Sequence, residues 1–179
     1  MALRWNHYDL AFEAFLRERR NPYIAVDERR RALTESEALK SLDFIVYSAT
    51  GRNLLVDVKG RRFPSGNNSH GRRWENWVTE EDLRSMACWQ RVFGDEFRAA
   101  LVFAYDLVEQ GSAAHHTQVW RFGRHRYSFY GVWADEYASA VRTRSPSWET
   151  VSIPRSRFDD LRRPIDAFLA PPDVPRQDV

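Results

Sequence analysis

The chain has 179 residues, 43% of them hydrophobic and 14% aromatic, with seven tryptophans, a composition that excludes disorder and provides for a buried core. Its net charge of +2 is too small to imply a polyanionic partner by itself. Cys88 is the one cysteine, which rules out an intrachain disulfide and a cysteine zinc site, and no apolar run approaches a membrane span.

In chain order, residues 6–20 read as a helix, with Tyr8, Phe12, Phe15 and Leu16 at helical spacing and Asn21-Pro22 as its stop. Residues 23–26 are short and apolar, a predicted strand, and 27–39 are charged and connecting. Residues 42–48 and 54–59 alternate and are joined by the glycine-bearing turn 49–53, which predicts an antiparallel hairpin. Residues 60–76 read as a loop rich in Arg, Gly, Asn and Ser. Thr79 then opens a helix with Asp82 three residues on as an imperfect capping box, and Gly94 ends it. Residues 99–107 form an apolar strand. A second hairpin (117–122 and 127–133), a helix over 134–142, a strand near 148–153 and a last helix over 158–169 complete the order. One domain is expected over 1–170, with a frayed Pro/Asp-rich tail over 171–179. Met1-Ala2-Leu3-Arg4-Trp5-Asn6-His7 lacks a signal-peptide core, so a soluble cytoplasmic protein without a membrane partner is expected. The order of helix, three strands, helix, strand and additions predicts an α/β fold with a mixed sheet.

Among 27 Lys and Arg residues only Lys40 and Lys59 are lysine. Lys59 closes Leu54-Leu55-Val56-Asp57-Val58-Lys59, and side chains two apart on a strand share a face, so Asp57 and Lys59 point together. Lysine is a compact point charge and arginine a planar, permanently charged fork, so the choice of lysine here has chemical content. Hairpin pairing brings Asp43 beside Asp57 if register puts both on one face, and two carboxylates at a sheet edge suit a hard divalent cation. Taken singly, Asp43 reads first as a strand-start residue that bonds local backbone. Glu13 borders the apolar arc of the first helix, either as a solvated flank or as a ligand. Gln90 lies within the apolar face formed by Leu83, Met86, Ala87 and Phe93. It either satisfies a backbone group or reaches a polar site.

A helix Glu, a hairpin Asp, an (Asp/Glu)-x-Lys triplet and a following helical Gln resemble the PD-(D/E)xK nuclease superfamily, which includes restriction endonucleases and Holliday junction resolvases. The resemblance spans residues 6–107. It departs at Leu42, where proline is usual, and at Asp57, where glutamate is more frequent. It implies a restriction-endonuclease-like core of helix, three-stranded antiparallel hairpin sheet, helix and strand, here with added C-terminal strands and helices. It implies a Mg²⁺ or Mn²⁺ ion held by Asp43, Asp57, the Val58 carbonyl and Glu13. Lys59 would orient or deprotonate the attacking water, and Gln90 would position substrate or Lys59. The implied partner is a nucleic acid, DNA ahead of RNA, and a homodimer is compatible with it. The competing expectation is a non-catalytic nuclease-fold protein that binds nucleic acid or serves as a scaffold. In a third reading the triplet is ordinary strand decoration and the aromatic surface binds another protein.

His7-Tyr8-Asp9-Leu10-Ala11-Phe12-Glu13 is also similar to the motif of the bacterial HYExAFE family, with Asp9 in place of its first glutamate; that likeness supplies no activity. Arg61, Arg62, Arg72 and Arg73 follow Lys59 in the loop and could contact phosphates, while Trp74 and Trp77 could stack on bases. The same loop could instead be a surface loop with an aromatic anchor. His115-His116 is read as a solvated turn, and Arg155, Arg157, Arg162 and Arg163 as a helix exterior.

Overall fold

The computed structural model describes residues 6–26, 32–33, 38–48, 51–65 and 74–169. Helix α1 (His7–Glu18) starts at Asn6, whose side chain accepts a hydrogen bond from the Tyr8 amide, and it buries Ala11, Phe12, Phe15 and Leu16. Strand β1 (Tyr23–Ala25) is followed by the two-residue strands β2 (Ala32–Leu33) and β3 (Ala38–Leu39), which pair with each other. Then come β4 (Phe44–Val46), β5 (Asn53–Phe63), β6 (Val78–Thr79), helix α2 (Glu80–Phe93) and β7 (Phe97–Leu107). The second half holds β8 (Trp120–Phe122), β9 (His125–Trp133), α3 (Ala134–Ala138), β10 (Arg142–Ser145), β11 (Thr150–Ser152), α4 (Arg155–Leu161), β12 (Arg163–Pro164) and α5 (Asp166–Leu169).

The main sheet runs β1-β4-β5-β7-β9-β12, with β8 on the edge of β9. Its first three strands are antiparallel, as the hairpin pattern predicts, and β7 joins β5 in parallel through the α2 crossover. Alternation sorts the two faces. Leu54, Val56 and Val58 lie with Ala100, Val102 and Ala104 against α1, while Leu55 lies with Leu101, Phe103 and Tyr105 on the α2 side. The central strands are buried on both faces, which explains why they read as nearly continuous apolar runs. Asp57 and Lys59 therefore sit on the α2 side of the sheet.

Three expectations shift. Strand β5 continues to Phe63, because Phe63 is buried and the β7 ladder holds that stretch in register. The last helix is split: Pro164 drives Arg163 into extended backbone, so α4 and α5 flank a short strand paired to β9. His116 is not solvated but buried among Phe63, Trp74, Tyr105 and Tyr130. That burial, followed by the charge of Arg162 and the neighbouring His115, lowers its pKa to about 3. The tail over 171–179 lies outside the described residues.

Candidate active site

The site begins where β4 meets β5. Phe44 pairs with Val56, and the Asp43 amide donates to the Val56 carbonyl at 2.9 Å. One step on, the Asp43 carboxylate accepts the Val58 amide at 2.5 Å. A side-chain oxygen thus replaces the ladder carbonyl at the start of β4, and the Asp43 carboxylate lies along the sheet edge beside the Asp57–Val58 peptide. The N–H and C=O of one strand residue leave on the same side, so the Val58 carbonyl is directed to this edge as well.

On the α2 side, Lys59 Nζ lies 2.8 Å from Asp57 Oδ2 and 2.9 Å from Asp82 Oδ2. Lys59 is 10% exposed and Asp82 3% exposed at the side chain. Asp82 also receives Lys40 on its other oxygen, so both lysines of the chain converge on this one carboxylate. Its place is fixed by the helix start: Asp82 Oδ2 accepts from the Thr79 amide at 2.9 Å and Thr79 Oγ1 accepts from the Asp82 amide at 3.1 Å, a complete capping box. Ser85 Oγ accepts from the Lys40 amide and the Trp89 indole donates to the Lys40 carbonyl, which docks the segment before β4 onto α2. Burial pulls the Lys59 ammonium toward its neutral form, but Asp57 and Asp82 outweigh it and raise its pKa above the usual lysine range. Burial likewise opposes ionisation of Asp82, and the two lysines overcome it and hold the carboxyl well below the usual range.

The structure does not bring Glu13 to this cluster. Its carboxylate is taken by Arg17 at 3.0 Å and by the Tyr23 hydroxyl at 2.8 Å. Tyr23 pairs with Val46, at the far end of β4 from Asp43. The carboxylate that α1 buries is Asp9, on the helix whose Tyr8 ring lies over Gly60 and whose Phe12 packs on Phe44. Gln90 accepts from the Ala99 amide at 2.8 Å and lines an apolar cavity between α2 and α3. It stands eight residues along the helix from Asp82, roughly 12 Å at the α-helical rise, and closes the start of β7 instead of reaching Lys59.

Among the nucleic-acid candidates, Trp74 belongs to the core, against Phe63, Tyr105 and His116 with the Arg162 guanidinium 3.8 Å over its ring. It offers no face for a base. Arg61 is buried too; its guanidinium donates to the Gly60 and Trp77 carbonyls and stacks 3.9 Å over the half-buried Trp77 ring. Arg62 is exposed and shares with Tyr8, Pro64, Glu75, Trp77 and Glu109 a polar cavity of about 630 Å³. Arg72 and Arg73 lie outside the described residues.

Two members of the cluster, Asp82 and Lys40, were not legible in the sequence as parts of the site, and neither was the burial of Asp9 on α1. Asp82 was visible only as a helix cap, and Asp9 only as the residue standing at the first glutamate of the HYExAFE-like motif. The scarcity of lysine was the available clue to Lys40.

No protein-family model matches the sequence, and no curated protein matches it. A solved structure does match: that of Hjc, a Holliday junction resolvase from the archaeal hyperthermophile Archaeoglobus fulgidus, with a TM-score of 0.56 and 10% identity over 92% of this chain and 98% of that one. At that identity the likeness is one of fold, and the chain shares the mixed α/β, nuclease-like architecture of that resolvase.

Proposed function

We propose that this chain is a divalent-metal-dependent nuclease acting on DNA. The observation that carries the reading is the Asp43 carboxylate seated on the Val58 amide, next to the Asp57–Lys59 ion pair, at one strand edge. Asp43, Asp57 and the Val58 carbonyl offer only oxygen donors, the set that Mg²⁺ or Mn²⁺ prefers, and they would hold the ion. Such an ion, when bound, polarises the scissile phosphate and makes bound water more acidic. Lys59 is held charged by its two carboxylates, so its part is to orient the attacking water and offset charge on the phosphate, not to accept a proton. Asp9, buried on the sheet side of α1, takes the helix-acid position in place of Glu13. Arg62 and the cavity beside it supply a phosphate contact. Likeness in fold to a junction resolvase favours DNA over RNA and branched over simple duplex substrates.

The test is digestion of labelled linear, branched and single-stranded DNA and RNA with and without Mn²⁺, beside an Asp57→Asn control. Mn²⁺-dependent cleavage lost in Asp57→Asn supports the reading. Retained binding with no cleavage of any substrate would favour a non-catalytic nuclease-fold binder, which the twofold clamp on Lys59 also fits.

A further inference from the structure

We propose that His7, Asp106 and His125 form a second metal site, which takes a borderline transition cation of the Zn²⁺ class and is distinct from the Asp43–Asp57 edge. The three residues come from the first turn of α1, the end of β7 and the start of β9, so only the tertiary fold brings them together. Each offers a ligand atom, and these atoms all lie within 4.8 Å of one another. Tetrahedral Zn²⁺ with bonds of about 2.0–2.1 Å needs ligand atoms roughly 3.3 Å apart. Asp106 is a buried anchor on the sheet, while both imidazoles are exposed and can turn through the remaining distance.

The surroundings already resemble those of a metal-bound histidine. Tyr127 is fully buried and its hydroxyl lies 2.6 Å from His7 Nδ1. In the tautomer whose Nδ1–H donates to Tyr127, His7 Nε2 carries the free lone pair, and Tyr127 is then the outer hydrogen-bond partner found at such sites. His125 Nδ1 lies 3.0 Å from Asp106 Oδ2, and the two imidazole rings are 5.2 Å apart. Three protein ligands with exposed histidines leave a fourth position open to solvent, the pattern of a site that exchanges water or a small ligand. Two imidazoles and one carboxylate select against Mg²⁺ and toward Zn²⁺ or Co²⁺.

The site is separate from the one proposed above. Asp106 alternates with Ala100, Val102 and Ala104 and so faces the α1 side, whereas Asp57 and Lys59 face α2. Asp106 pairs with Arg62, three residues past Lys59, which is roughly 10 Å along the strand at the usual rise. The proposal does not depend on nuclease activity.

The experiment is titration of EDTA-stripped protein with Zn²⁺ by calorimetry and with Co²⁺ by visible absorption. Wild type should take up one Zn²⁺ at this site, and His7→Ala and His125→Ala, checked for fold by circular dichroism, should each weaken it by about tenfold or more. Tyr127→Phe should weaken it while leaving stoichiometry intact, and Asp57→Asn should leave it unchanged. No Zn²⁺ uptake by wild type would overturn the proposal and leave a histidine–aspartate hydrogen bond. Uptake indifferent to both histidine variants, or abolished by Asp57→Asn, would overturn it equally.

Discussion

Replacing Asp82 by Asn removes the charge on which Lys40 and Lys59 converge while leaving the side chain's shape. Removing one partner of a buried ion pair costs about 3–5 kcal/mol when the other charge is left bare. Lys59 still has Asp57 at 2.8 Å, so about 3 kcal/mol is the ceiling for its share. Lys40 is 42% exposed at its side chain, and a pair so open to solvent adds at most about 1 kcal/mol. The asparagine oxygen still accepts from the Thr79 amide, so the capping box survives in Asp82→Asn and is lost in Asp82→Ala, at a further cost of about 1 kcal/mol. Urea denaturation at neutral pH should therefore rank wild type above Asp82→Asn above Asp82→Ala, with Lys40→Ala close to wild type. For a chain of this size a loss of about 3 kcal/mol lowers Tm by roughly 6–12 °C. A stability of Asp82→Asn within about 0.5 kcal/mol of wild type, the range of ordinary surface changes, would refute the argument.

The same carboxylate sets an acid limit. Its pKa is depressed, so its contribution is present above the ordinary aspartate range near pH 4 and is lost as pH falls through the lowered value. The stability gap between wild type and Asp82→Asn should be flat through neutral pH and shrink below about pH 4 in pH-resolved melts. Lys59, with its raised pKa, should begin to release its stabilisation only above about pH 10. Gln90→Ala strands the amide of buried Ala99 and should cost about 1–3 kcal/mol in denaturation while leaving DNA cleavage unchanged; a large loss of turnover at full stability would return Gln90 to the site. Lys59→Arg should fold and bind DNA yet lose Mn²⁺-dependent cleavage by about 10²-fold, the cost of misplacing a group that orients the reactants, and near-equal rates would remove Lys59 from catalysis. At Gly60 an added Cβ would fall 2.1 Å from the Tyr8 ring, so Gly60→Ala should lower stability by about 1–3 kcal/mol through overpacking; an unchanged melting curve would show that α1 adjusts freely.

Elements whose signals are local were legible in the sequence. The hairpin alternation, the glycine turn and the Thr79–Asp82 cap each act within a few residues, and β4, the start of β5 and the start of α2 appear where those signals put them. The facing of Asp57 and Lys59 followed from strand periodicity alone. What was not legible depends on how distant elements dock. Glu13 and Asp9 lie one turn apart on α1, and only the packing of Tyr8 on Gly60 and Phe12 on Phe44 decides which of them turns to the sheet. Trp74 and Arg61 read as loop residues because their burial comes from partners as remote as Tyr130 and Arg162. The amide of Gln90 marked a buried polar need correctly, but its partner, the Ala99 amide, belongs to the next strand and not to the site.

The position of Asp82 at the mouth of α2 has a consequence for how Lys59 can change partners. A helix N-terminus carries about half a positive charge and stabilises an anion within its first turn. If Lys59 turns toward a phosphate, Asp82 keeps Lys40 and the Thr79 amide, and Asp57 becomes free for a cation. The anion left behind is still compensated from two directions, so the ammonium can move between ligand-free and ligand-bound settings without leaving a bare charge in the interior. With a neutral residue at position 40, that exchange would leave the helix end alone to balance Asp82.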